Sequence, residues 1–133
     1  MLFRSAIAAG MLAVGVGLSS ATHGEFIQLE VEDFKGPWQK QTNISGFLGS
    51  GFRTSNATDP AIAESTMDGR AKISEEGTYA VWTRGYTSEN SNRAYALQVG
   101  DTTFPPTHTG SERLWSWQKA GEVALKAGTV VVK

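Results

Sequence analysis

Residues 78–86 read TYAVWTRGY, and this stretch decides the fold class. Most of its residues are β-branched or aromatic, the types that favour extended strands. Successive side chains of a strand point to opposite faces. The stretch therefore predicts a strand in which one face carries Tyr79, Val81 and Thr83 and the other carries Trp82, Arg84 and Tyr86.

The segment 26–33 shows the same period of two. Apolar Ile27, Leu29 and Val31 alternate with Gln28, Glu30 and Glu32, which is typical of a half-buried strand. Further short strands are predicted between turns, and no long segment has helical periodicity. These strands are residues 70–74, 93–99, 102–104, 114–118, 122–125 and 129–132. Several short strands at this spacing predict one all-β domain, a sandwich or a barrel.

The N-terminus has the layout of a secretory signal. Arg4 precedes an apolar run over residues 6–18, and the small residues Ser19 and Ala21 follow. This order of charge, apolar run and small residues predicts a signal peptide over residues 1–21 and a secreted or periplasmic protein. Cleavage after Gly24 is an alternative. A membrane anchor would need about 20 mostly apolar residues, and the run over residues 6–18 is shorter. We therefore expect a cleaved signal peptide and no membrane association afterwards.

Composition limits what the chain after the signal peptide can do, including the predicted domain at residues 25–133. Removal of 21 of 133 residues leaves 112, enough for one small core. The formal net charge of −1 becomes −2 when Arg4 is lost, which does not suggest a nucleic-acid partner. The chain has no cysteine, which excludes disulfides and thiolate sites.

The apolar stretch 129–132 ends one residue before Lys133. An exposed apolar strand is an aggregation hazard. Either this strand lies at a covered edge, or the chain is a fragment that lacks a closing strand and any catalytic domain that follows; we favour the fragment.

Several motifs resemble a known family. They are LEVEDF at 29–34, GFLGSG at 46–51 and EGTYAVWTR at 76–84. In this order they resemble carbohydrate-binding modules of the family 6 and 35 type. The run LWSWQKAGEVALKAG at 114–128 is similar to accessory domains of large exported proteins of planctomycete-like bacteria, some of them FAD-dependent oxidoreductases. The resemblance covers most of the mature chain in scattered short motifs.

The resemblance implies a galactose-binding-like jelly-roll β-sandwich in which a further strand follows the 114–128 hairpin. It implies a module that binds polysaccharide or another glycan and performs no catalysis. A second hypothesis is a structural accessory domain of a larger exported enzyme, such as an oxidoreductase or a glycan-degrading enzyme, that binds no sugar. A third is a small hydrolase, although the sequence has none of the usual nucleophile or metal motifs.

Glu30 and Glu32 are the predicted metal ligands. Two residues apart on a strand, they would point the same way with roughly 7 Å between them, and paired carboxylates can share a Ca²⁺ ion. The alternative is a solvated polar face. The resemblance implies a structural calcium held with backbone oxygens and an Asp near the last strand, and that Asp has no counterpart here. A glycosidase pair is disfavoured, because nothing supplies a raised pKa or a cleft.

Trp82 and Arg84 are predicted to lie on the outer face, beside Ala94 and Ala96 of a neighbouring strand. A flat indole next to small residues is a platform for a sugar ring; the alternative is that Trp82 only packs. Tyr86 and Trp38, aromatic residues near strand ends, complete the predicted carbohydrate site. We expect at least one of Trp115 and Trp117 in the core, and His108 at the surface.

Overall fold

A computed structural model describes residues 11–16, 27–54, 65–87 and 96–133. It confirms the all-β class: every strand pairing it shows is antiparallel, and the described residues contain no α-helix. A 3₁₀ turn spans Val31–Asp33. The strands are β1 Met11–Val16, β2 Ile27–Glu30, β3 Gln39–Gln41, β4 Phe52–Thr54, β5 Gly69–Ile73, β6 Gly77–Tyr86, β7 Gln98–Val99, β8 Thr102–Thr103, β9 Trp115–Leu125 and β10 Gly128–Val132.

Two four-stranded sheets form a sandwich. The first has the strand order β2-β1-β6-β9 and the second the order β5-β10-β7-β8, while β3 and β4 form a separate pair. Buried side chains from both sheets join one core, which excludes water from apolar surface. The core includes Val31, Tyr79, Val81, Val123 and Leu125 from the first sheet and its 3₁₀ turn, and Ala71, Ile73, Val99 and Val132 from the second.

The central strand β6 has the two faces that its sequence predicts. Tyr79, Val81 and Thr83 are fully buried. Trp82, Arg84 and Tyr86 are half-buried on the opposite face. The alternation of side chains between the two faces is a local property of the extended backbone. It therefore does not depend on which strands pair with β6.

The strand β9 differs from expectation. Sequence analysis predicted two strands, 114–118 and 122–125, whereas one 11-residue strand runs through both. A β-bulge makes this continuity possible: Val81 pairs with Gly121 but Trp82 pairs with Lys119, so Ala120 is an extra residue. Gly121 permits the inward packing of Phe104, because a Cβ there would lie 2.7 Å from the Phe104 Cδ1.

Other boundaries also change. The predicted strand 26–33 ends at Glu30, because the chain turns so that Val31 and Phe34 are buried. The predicted strand 93–99 is observed only as β7, with residues 93–95 outside the described part. It belongs to the second sheet and not beside β6.

The C-terminal strand β10 is internal to its sheet. It pairs with β5 at five positions and with β7 at Val132, so one edge is covered along its length and the other at its C-terminal end. The predicted lack of a closing strand stays a prediction.

The predicted signal peptide also stays a prediction. Residues 1–10 and 17–21 lie outside the described part, and residues 11–16 form β1. None of the described segments is a helix long and apolar enough to cross a bilayer.

Candidate functional site

An aromatic cluster covers one end of the outer face of the β6–β9 pair. Cross-strand pairing places Tyr86 opposite Trp115 and Arg84 opposite Trp117, and paired residues share a face. The Tyr86 and Trp115 rings meet edge to face, with centroids 5.4 Å apart. Trp117 keeps 38% of its surface exposed. Both tryptophans therefore lie outside the core, contrary to expectation.

A glycine-containing loop before β4 closes over this cluster. Phe52 packs edge-on against Trp115, with ring centroids 5.4 Å apart, and Phe47 lies 6.1 Å from Phe52. The Trp115 Nε1 donates a 2.8 Å hydrogen bond to the carbonyl of Ser45. Gly46, at φ +93°, lies so close to the indole that a Cβ would be 2.9 Å from Trp115 Cδ1. The loop therefore contacts the Trp115 indole closely at both Ser45 and Gly46.

Arg84 connects the sheet to that loop. Its guanidinium carbon lies 5.3 Å from the ring centre of Trp115 and 5.8 Å from that of Trp117, within the range of a cation–π contact. Its Nη2 donates a 2.8 Å hydrogen bond to the Gly46 carbonyl. Burial lowers the pKa of Arg84, and Nη1 is buried without a hydrogen-bond partner.

Trp82 lies on the same face, next to β9. Its cross-strand partners are Ala13 of β1 and Lys119 of β9, and Lys119 forms a 2.6 Å ion pair with Glu122. The predicted neighbour Ala96 is not beside Trp82, because the strand that follows it, β7, belongs to the other sheet. Ala94 lies outside the described residues, so its predicted position stays a prediction. The Trp82 Nε1 is buried and has no hydrogen-bond partner.

Trp38 is placed away from the other predicted contact residues. Its Nε1 donates to the carbonyl and hydroxyl of Ser65, at 3.3 and 3.2 Å. The ring packs against the buried core, and its carbonyl accepts a 2.9 Å hydrogen bond from Arg53. Of the four predicted residues, the structure thus places Trp82, Arg84 and Tyr86 on one face, while Trp38 helps to hold the loops together.

Glu30 and Glu32 converge on one glycine although they belong to different elements. A Cβ added to Gly49, at φ +67°, would lie 2.9 Å from Glu30 Oε2 and 2.9 Å from Glu32 Oε1. Their approach comes from the 3₁₀ turn and the Gly49 loop, and not from a shared strand as predicted.

The environment of Glu32 leaves its charge poorly compensated. Burial raises the pKa of Glu32, and the neighbouring charge of Glu30 raises it further, while backbone hydrogen bonds at Glu32, Ser50 and Gly51 act in the opposite direction. Its Oε1 is buried without a hydrogen-bond partner.

This arrangement fits a hard cation. An unpartnered carboxylate oxygen, a second carboxylate and a space that only glycine leaves open are what a calcium ion would use. Glu30 and Glu32 are the residues that would hold it. The described part of the chain contains no group of three or more His, Cys, Asp or Glu side chains arranged for a metal ion, so backbone or solvent oxygens would complete the coordination.

His108 was predicted at the surface and is buried, with 5% of its surface exposed. Its Nε2 lies 3.0 Å from Thr83 Oγ1, which in turn lies 3.0 Å from Thr107 Oγ1. Gly85 leaves room for the ring, because a Cβ there would lie 2.7 Å from His108 Cδ2. Burial lowers the pKa of His108, and the residue belongs to the packing under β6.

Comparison of the chain with protein-family models, with curated proteins and with solved structures finds no match.

Proposed function

We propose that this domain is a secreted, non-catalytic carbohydrate-binding module with a galactose-binding-like jelly-roll fold. The observation that carries the proposal is the outer-face aromatic cluster, in which Trp117 is held beside Arg84 and keeps 38% of its surface exposed. An indole offers a rigid apolar face with a polar edge. The apolar C–H face of a sugar ring suits such a surface.

Neighbouring groups supply what a sugar needs besides stacking. Leu48 and Leu114 are exposed apolar residues, at 39% and 46% of their surface. Arg84 Nη1 and Trp82 Nε1 are N–H donors without partners on the same face. Both nitrogens are buried, so a sugar hydroxyl would accept a hydrogen bond from them only after the side chains that cover them move, and the hydrogen bond gained would favour that movement.

A calcium ion at Glu30 and Glu32 would support this surface indirectly. When bound, it supplies positive charge that offsets the repulsion of the two carboxylates. Gly49 follows Gly46 and Phe47 in the same loop, and that loop contacts Trp115 and Arg84. A fixed Gly49 end would therefore limit the movement of the loop over the aromatic cluster.

Affinity electrophoresis on a panel of soluble polysaccharides, followed by calorimetry on any that retards the protein, tests the proposal. Trp117→Ala should weaken binding at least tenfold, about 1.4 kcal/mol, without changing the cooperative unfolding transition. Trp38→Ala is the matched control: it removes a half-buried indole outside the cluster, so it should lower stability and leave the affinity of folded protein unchanged. Equal affinity of wild type and Trp117→Ala would exclude this surface.

The second candidate is a structural accessory domain. It is favoured by an open groove of about 1070 Å³ whose lining mixes apolar residues such as Leu29 and Val130 with charged ones such as Arg70, because contacts between domains of one chain are commonly of this mixed character. Failure of every polysaccharide to retard the folded protein, with and without Ca²⁺, would favour this candidate.

A further inference from the structure

The strand β1 occupies an interior position in the first sheet. It lies between β2 and β6 and runs antiparallel to both. Four of its positions pair with Ile27–Glu30 and five pair with residues 79–83. In the observed strand order, β2 joins this sheet through β1 alone.

The same six residues lie in the apolar run of the predicted signal peptide. Cleavage after Ala21 would remove Met11–Val16 together with the rest of the leader. The mature chain would then have a gap one strand wide between β2 and β6. The apolar run of the predicted leader contains the strand β1. Export with cleavage would therefore remove a strand that the complete sheet contains.

The gap would open over the most protected part of the core. Tyr79, Val81 and Thr83, on the β6 segment that pairs with β1, have no exposed surface. Backbone N–H and C=O groups on the facing edges of β2 and β6 would lose their partners, and native proteins leave very few such buried groups unpaired. A further strand in this gap would restore the backbone hydrogen bonds of β2 and β6 and cover the core again.

We propose that the β2–β6 gap is a strand-acceptor site that binds an extended apolar segment of a partner polypeptide, antiparallel to both neighbours. Such β-strand addition draws affinity from main-chain hydrogen bonds, which here form along two edges at once. The observed strand defines the partner chemistry: MLAVGV has six residues, no charge and no proline. The inference rests on the predicted removal of the leader and is independent of glycan binding.

A proline substitution in the full chain tests whether the site accepts a separate strand. Val14 pairs with both Ile27 and Val81, and proline cannot supply the N–H of an interior strand. In Val14→Pro, the backbone amides of residues 79–83 should lose hydrogen-exchange protection by at least tenfold. Leu18→Pro, beyond the end of β1, is the control and should leave that protection unchanged.

A synthetic peptide of residues 10–17, with lysines added outside this stretch for solubility, should bind Val14→Pro at one peptide per chain. It should restore the lost protection even if the variant alone is poorly folded. The same peptide carrying Val14→Pro should do neither. Protein cleaved after Ala21, and shown by mass spectrometry to carry no partner, should also bind the unmodified peptide. Full protection of residues 79–83 in that cleaved protein, with no peptide binding, would overturn the proposal.

Discussion

Thr83 and His108 form a buried hydrogen bond that ties the 105–114 loop to the central strand, with 3.0 Å between Oγ1 and Nε2. The backbone N–H of His108 also donates to the side chain of Gln118, at 2.8 Å. One residue therefore connects the loop to both β6 and β9, and its protonation should affect the stability of the whole pair.

The free energy of unfolding should decrease as the pH falls below 6.5. Burial lowers the pKa of His108 below that ordinary value, so between the two pKa values the unfolded chain binds a proton that the folded chain does not. The contribution of His108 should be constant above pH 6.5 and should fall below it by at most about 1.4 kcal/mol per pH unit. His108→Asn, which tolerates the observed φ of +59°, should flatten this dependence in urea titrations at pH 5–8. An unchanged slope in the variant would assign it to another group.

Arg84→Lys should fail to replace arginine although the charge is kept. Lysine lacks the planar guanidinium that contacts two indoles while donating to Gly46. We expect a loss of about 1–3 kcal/mol in stability and a red shift of tryptophan fluorescence as the loop loosens. Arg70→Lys, at an exposed position on β5, should change neither reading. Equal effects at both positions would show that Arg84 has no special role in the cluster.

Gly49→Ala should abolish a calcium-dependent increase in melting temperature. The added Cβ would meet both carboxylates at 2.9 Å, where the ion would have to bind. Gly128→Ala is the control for backbone strain, since Gly128 also has positive φ (+133°) but no atom within 4 Å of an added Cβ. Thermal unfolding with Ca²⁺ or with EDTA separates the two variants. A calcium response that persists in Gly49→Ala would place the ion elsewhere.

Glu32→Gln should stabilise the calcium-free protein near neutral pH. The pKa of Glu32 is raised above its ordinary value of 4.5, so ionised Glu32 destabilises the folded state. In wild type, stability from this group should increase as the pH falls through the folded pKa towards 4.5, opposite in sign to the effect of His108. Glu76→Gln, at an exposed position between β5 and β6, is the control. If the Glu32→Gln variant were less stable than wild type at pH 7, the claim that the charge of Glu32 is poorly compensated would be wrong.

The faces of β6 could be predicted because they depend only on strand periodicity within nine residues. The convergence of Glu30 and Glu32 was predicted for the wrong reason, since a turn and a distant glycine bring them together. The neighbours of Trp82 could not be predicted, because strand pairing depends on contacts between residues far apart in the sequence. Burial of His108 likewise depends on the space left by Gly85, 23 positions earlier, and no local pattern reports it.

The bulge at Ala120 has a consequence for how this surface could arise. In β9, Gly121, Val123 and Leu125 are odd-numbered and lie on the inner face, yet Trp115 and Trp117 are also odd-numbered and lie on the outer face. The extra residue shifts the numbering of the alternation by one position. Deletion of Ala120 would put Lys119 directly before Gly121, so the observed pairs Val81–Gly121 and Trp82–Lys119 would follow in a regular ladder and both indoles would stay outward. This surface could therefore arise with or without the extra residue, because the bulge leaves Ala120 unpaired instead of exchanging the two faces of β9.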